Sequence, residues 1–183
     1  QELLAESVRN AGPTVRFDNY PIGRFALNRV INAHPGVELL HLHWPGPLFE
    51  PLFWPTSRLP DWLRLSMLTA DLLLARLRGK RIVWTLHNLV AHESKNAKLE
   101  TTACATLARW SHQIIAHSQS ALQLAQRTYA VRFDHKAHVI PMGNFDGIYS
   151  PTKPKPPAHT RGAEAPIRVL FFGAVRPYKG LKR

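Results

Sequence analysis

The sequence predicts an α/β fold: a mostly parallel β-sheet with helices on both faces, followed by the start of a second domain. Three observations carry this. Short apolar runs alternate with longer amphipathic stretches along the whole 183-residue chain, the pattern of strands joined by helical crossovers. Four of the short runs end in polar residues, His41-Leu-His43-Trp44, His87-Asn88, His117-Ser118 and Gly143-Asn144. Ligands gather at the carboxyl ends of strands in such sheets. Finally, the closing stretch VLFFGAVRPYKGLKR sets one more apolar run before a loop of glycine and cations.

The elements follow in order. Glu2 to Asn10 place Leu4 and Val8 on one helical face, and Gly12-Pro13 stop that helix. Thr14 to Asp18 alternate like a strand around Val15 and Phe17. Arg24 to Ala33 form a short helix ended by Pro35-Gly36, and Val37 to Leu42 form an apolar strand. A proline-rich loop with Leu48, Phe49, Phe53 and Trp54 spans Trp44 to Pro60. Asp61 then caps a long helix to about Arg78, with Gly79 at its C′ position. Arg76, Arg78 and Lys80 crowd the end where the helix dipole favours cations.

Arg81 to Leu86 form the next strand, and a helix with Leu99, Leu107 and Trp110 follows it. Gln113 to His117 is another buried strand. Ser120 with Gln123 reads as a capping box at the start of a further helix. Val139 and Ile140 close a strand that breaks at Pro141-Met-Gly143-Asn144.

The domain reading is 1–149 for the first domain, 150–166 for a proline-stiffened linker, and 167–183 for the first strand and loop of a second domain. A doubly wound domain opens on a strand and this chain opens on a helix, so a first strand is expected upstream. The second domain is expected to continue past Arg183.

Composition narrows the function classes. There are 24 Lys+Arg against 12 Asp+Glu, a net charge of +12, which attracts phosphorylated substrates, anionic lipid or other polyanions. No zinc-finger spacing, RNP-type aromatic motif or helix-turn-helix signature accompanies the charge, so nucleic acid is not the expected partner. The single cysteine, Cys104, sits in a helical stretch and reads as a small core residue. It has no internal partner, so a reducing, cytoplasmic setting is expected. No uncharged apolar run approaches the roughly 18 residues of a membrane span; the run from Leu65 is broken by Asp71.

Candidate site residues come from the strand ends and the closing loop. In that loop, Gly173, Arg176 and Lys179 follow a buried strand and precede a helix start at Gly180, an arrangement that suits a diphosphate. The plain alternative is a solvated basic loop. His87 is a polar group for a sugar hydroxyl or a proton, or a histidine satisfied at a strand end. His41 and His43 share a strand face, but no third residue has metal-ligand spacing, so no metal is expected. His43 and Trp44 are candidates for touching a sugar-like acceptor, with a structural Trp44 as the alternative. The aromatic loop 46–56 reads as an anionic-membrane patch or as a loop folded on its own domain.

The pieces LLHLHWPGP, IVWTLHNLVAHE, QIIAHSQSA, VIPMGNFDGIY and VLFFGAVRPYKGL, in that order, resemble bacterial GT-B glycosyltransferases of glycosyltransferase family 4. The resemblance implies two Rossmann-like domains across a cleft, the first for the acceptor and the second for a nucleotide-sugar donor. It implies a catalytic-site histidine at His87 and donor-diphosphate contacts from Lys179, Arg176 and Gly173. His43, Trp44, Asn88, Ser118, Gly143 and Asn144 become acceptor or cleft residues. It further implies hexose transfer with retention to a surface glycan, lipid-linked, at the inner membrane face, with no cofactor beyond the donor. Where many members carry Gly-Arg, this chain has Gly173-Ala174, which moves the charge to Arg176 and Lys179. The acidic pair of the donor site does not occur in these residues, so they are expected to be inactive without it. A non-enzymatic anion-binding module, for nucleic acid or an anionic membrane, is the alternative function.

Overall fold

The computed structural model describes Gly12, Thr14 and residues 24–49, 59–90 and 96–143. Among these, α1 is Ala26–Ala33, β1 Leu39–Leu42, α2 Gly46–Phe49, α3 Asp61–Leu77, β2 Arg81–Leu86, α4 Ala97–Trp110, β3 Gln113–Ala116, α5 Gln119–Tyr129 and β4 Ala137–Val139. A 3₁₀ turn, Asp134–Lys136, leads into β4. The chain divides into two compact units, Gln1–Pro141 and Met142–Arg183, and every one of these elements lies in the first.

The four strands form one parallel sheet in the order β1-β2-β3-β4, a Rossmann-like α/β arrangement. The register pairs Leu42 with Trp84, Leu86 with Ala116, and Ala116 with Val139. Alternation of side chains puts Leu40, Leu42, Ile82, Trp84, Leu86, Ile114 and Ala116 on one face. All seven are buried, in a single core with Leu68, Leu72 and Ala75 of α3, Ala103 and Leu107 of α4, and Leu122 and Tyr129 of α5. Burial of such side chains contributes about 1.5–3 kcal/mol each. Cys104 is buried there too.

Several local signals read differently in three dimensions. The N-cap of α3 is Pro60, with no side-chain cap; Asp61 is the first helical residue, where its charge still suits the dipole. Its carboxylate accepts instead from Asn96 Nδ2 at 2.6 Å, and Asn96 Oδ1 caps α4 through Leu99 N at 3.0 Å. Helix α5 is capped by Ser118, whose Oγ accepts from Ala121 N at 3.1 Å. The expected box at Ser120 therefore starts two residues late: Ser118 has the extended backbone that an N-cap needs, while Ser120 is already helical. The loop expected from Trp44 to Pro60 contains the one-turn helix α2, with Leu48 and Phe49 buried. Gly79 sits at φ +74° behind α3, the left-handed stop its sequence position implies.

The start of α1 is held from outside. Its N-cap, Phe25, has left-handed φ and ψ and offers no side-chain bond. Asp71, buried in α3, reaches across and accepts from Leu27 N at 2.9 Å and Asn28 N at 3.0 Å. Those are the N2 and N3 amides that a helix's own cap normally satisfies. Asn28 Nδ2 also donates to Asp71 Oδ1 and to its carbonyl. The residue that interrupts the apolar run of α3 is thus the cap of another helix. Apart from Gly12 and Thr14, the N-terminal helix and strand read from residues 2–18 lie outside the described residues, as do the linker and the 167–183 segment.

Candidate functional site

The carboxyl edge of the sheet gathers the candidate residues. One step past the pair Leu86–Ala116 the register brings up His87 and His117, and β1 delivers His43 and Trp44 beside them. His43 Nδ1 and His87 Nε2 are 3.0 Å apart, sharing one proton in a hydrogen bond. The Trp44 ring lies nearly parallel to His87, with centroids 4.6 Å apart and 13° between planes. His117 leans on the other imidazoles, its centroid 5.2 Å from that of His87. His41 joins from one turn of the pleat below, 4.3 Å from the His43 ring, with Nε2 2.8 Å from Thr85 Oγ1.

The electrostatics follow from crowding. Burial, then the neighbouring His43 and His117, hold the His87 pKa below the ordinary histidine value. Burial acts first on His43 and His41 as well, helped by the adjacent imidazoles. Each charged form would lose water and face a like charge, so all three imidazoles are neutral at pH 7. His117 Nδ1–H donates to Ile140 O at 3.0 Å. Its other ring nitrogen, Nε2, is buried with no partner among the described residues. The result is a row of imidazole donors and acceptors beside an indole that is 48% exposed, a surface suited to hydroxyls and to the flat face of a sugar ring.

The expected residues divide in three. His43, Trp44 and His87 meet. Asn88 follows His87 and is exposed; Ser118 is exposed at the same edge, but its Oγ is engaged as the α5 cap and with Ser120 Oγ at 3.0 Å. Gly143 is exposed, belongs to the second unit, and has open space where a Cβ would stand. Asn144, Gly173, Arg176 and Lys179 lie outside the described residues. Two further members, His41 and His117, complete the row. His117 stood in the sequence as the last residue of a strand; its match to His87 depends on register, which neither strand encodes in isolation. Among the described residues no group of three or more His, Cys, Asp or Glu side chains could hold a metal ion.

Comparison with known proteins supplies the chemical context. No protein-family model and no solved structure matches the chain. Among characterised proteins, it is similar to glycolipid mannosyltransferases. A GDP-mannose:glycolipid 4-beta-D-mannosyltransferase of Xanthomonas campestris pv. campestris (strain ATCC 33913) is 28% identical over 145 residues, 79% of this chain and 36% of that protein. A second protein of the same description from X. campestris pv. campestris is 27% identical over the same share of each. The chain thus spans about a third of the length of these relatives.

Proposed function

We propose that this chain forms the acceptor-side part of a GT-B glycosyltransferase, related to family 4, that moves a hexose from a nucleoside-diphosphate sugar to a glycolipid. The stacked Trp44–His87 pair, hydrogen-bonded to His43 at the carboxyl edge of a parallel sheet, carries the reading. The similarity to proteins described as using GDP-mannose and a glycolipid supports mannose as the hexose and a lipid-linked glycan as the acceptor.

In this reading Trp44 supplies an apolar platform for one sugar ring. His87, neutral and held by His43, presents its remaining ring nitrogen to a sugar hydroxyl or to the proton leaving the acceptor. His43 is a positioning residue, fixing the tautomer of His87. Arg176 and Lys179, with the Gly173 turn, offset the charge that develops on the departing diphosphate. Protein cations serve there without a metal cofactor. Attachment to an anionic membrane from the cytoplasmic side fits the net charge of +12. No helix among the described residues is long and apolar enough to cross a membrane.

Stereochemistry separates two versions. The family 4 resemblance implies retention. A β-mannoside, as the relatives' description specifies, is the inverted product of an α-linked donor. Assaying the full-length gene product with GDP-mannose and a glycolipid acceptor, and reading the anomeric C1–H1 coupling of the product, decides between them. In the same assay His87→Ala lowers kcat/KM at least tenfold, about 1.4 kcal/mol of transition-state binding, while the fold, followed by circular dichroism, persists. Unchanged turnover in His87→Ala removes the histidine row from the reaction.

A further inference from the structure

The opposite, amino-terminal edge of the sheet holds a second feature that the transfer reaction does not use. Two adjoining open clefts, of about 430 and 420 Å³, share Arg76 and His112 as a common wall. The first adds Lys80 and Arg81, and the second adds Arg109, His135 and Lys136. Among the described lining residues there are five cations and no carboxylate.

Three of those cations have structural duties. Arg76 Nη1 donates to Trp110 O at 2.8 Å, Lys80 Nζ to Pro35 O at 3.2 Å, and Lys136 Nζ to Arg109 O and Ser111 O at 2.9 and 2.8 Å. These bonds satisfy the carbonyl ends of α4 and the α1–β1 turn, and they hold the cations in place. They do not neutralise them. The carboxyl ends of α3 and α4 bring only about half a negative charge each, against five positive ones. Arg81 and Arg109 have no side-chain hydrogen bond or ion pair among the described residues.

His112 completes the arrangement. Its Nδ1 accepts from Ile82 N at 3.0 Å, so the neutral ring carries its proton on Nε2 and keeps a donor with no partner among the described residues, on the wall common to both clefts. Its pKa lies below the ordinary value, through burial first and then through Arg76, Arg81 and Lys136. Burial and Arg76 likewise lower that of Lys136. Burial is the larger cause in both, and the neighbouring cations push the same way.

We infer that these paired clefts are a second anion site, which takes a phosphate or diphosphate group between Arg81, Arg109 and the Nε2–H of His112. Two guanidinium forks and a fixed imidazole donor suit phosphate oxygens better than a carboxylate or chloride. β2 is six residues long, which puts this edge about 20 Å from the histidine row. The site therefore stands or falls independently of the transfer reaction.

The test uses the 183-residue chain at low ionic strength, with inorganic pyrophosphate followed by His112 imidazole NMR, and with vesicles of phosphatidylglycerol against phosphatidylcholine. Pyrophosphate is expected to shift the His112 resonances saturably and to raise its pKa, since a bound anion favours the imidazolium. Arg81→Gln/Arg109→Gln, which leaves the carbonyl-capping bonds in place, is expected to weaken binding at least tenfold. Lys179→Ala leaves the His112 response intact. If phosphatidylglycerol vesicles displace pyrophosphate, the phosphate belongs to a lipid headgroup; if they do not, it belongs to a soluble ligand. No saturable shift beyond that of chloride at equal ionic strength overturns the inference, as does a double variant that binds as tightly as the parent.

Discussion

Replacing Asp71 by Ala tests the packing of α1 on α3 most directly. Asp71 is 3% exposed and its carboxylate accepts from Leu27 N, Asn28 N and Asn28 Nδ2 at 2.9, 3.0 and 2.7 Å. Alanine removes both oxygens. Asn28 Nδ2 retains the Asp71 carbonyl at 2.8 Å, but the two backbone amides lose their acceptor inside the protein. Each such loss costs about 1–3 kcal/mol. The better helix propensity of alanine returns at most about 0.7 kcal/mol, and Phe25 has no side-chain cap to substitute. A net loss of about 1.3–5.3 kcal/mol follows, a large part of the 5–15 kcal/mol typical of a domain. Asp71→Asn keeps one acceptor oxygen and costs about half as much. Urea unfolding followed by tryptophan fluorescence measures both, and amide exchange at Leu27 and Asn28 reports the local loosening. A change below about 1 kcal/mol for Asp71→Ala, with those amides still protected, refutes the idea that α3 caps α1.

Other expectations concern the histidines and the caps. The folded-state pKa values of His41, His43, His87 and His112 are all lowered, so the unfolded chain binds more protons as pH falls below about 6.5. Stability is then full above that value and declines through the acidic range below it; urea midpoints that stay level from pH 7.5 to 5 contradict this. Ser118→Ala costs about 1 kcal/mol through the lost α5 cap, and in the full-length protein it lowers kcat/KM by less than twofold. Trp44→Ala raises the KM for the glycolipid acceptor and leaves the urea midpoint within error, because the ring is half exposed and stacks on His87; an unchanged KM with a lowered midpoint assigns Trp44 a purely structural role.

Much of the architecture is written in local pattern. Strand β2 spans Arg81–Leu86 as its apolar run indicates, and α3 stops just before Gly79, which takes a left-handed backbone. The helix caps were less legible. Serines at 118 and 120 are equivalent in type, and only the folded backbone shows Ser118 to be the extended one, with φ −156° and ψ 158°. Asp71 gave no sequence sign of its partner, 43 and 44 positions away.

The sequence by itself determined that polar residues stand at the ends of apolar runs, because alternation and turn chemistry act over a few neighbouring residues. Which ends meet was decided only by tertiary structure. A spacing of 44 residues sets His41 against Thr85 and His43 against His87, and the β2–β3 register then aligns His117 with His87. No local rule fixes those distances. They follow from helices α3 and α4 burying their apolar faces against one side of the sheet, since a one-residue slip would turn that whole face to water.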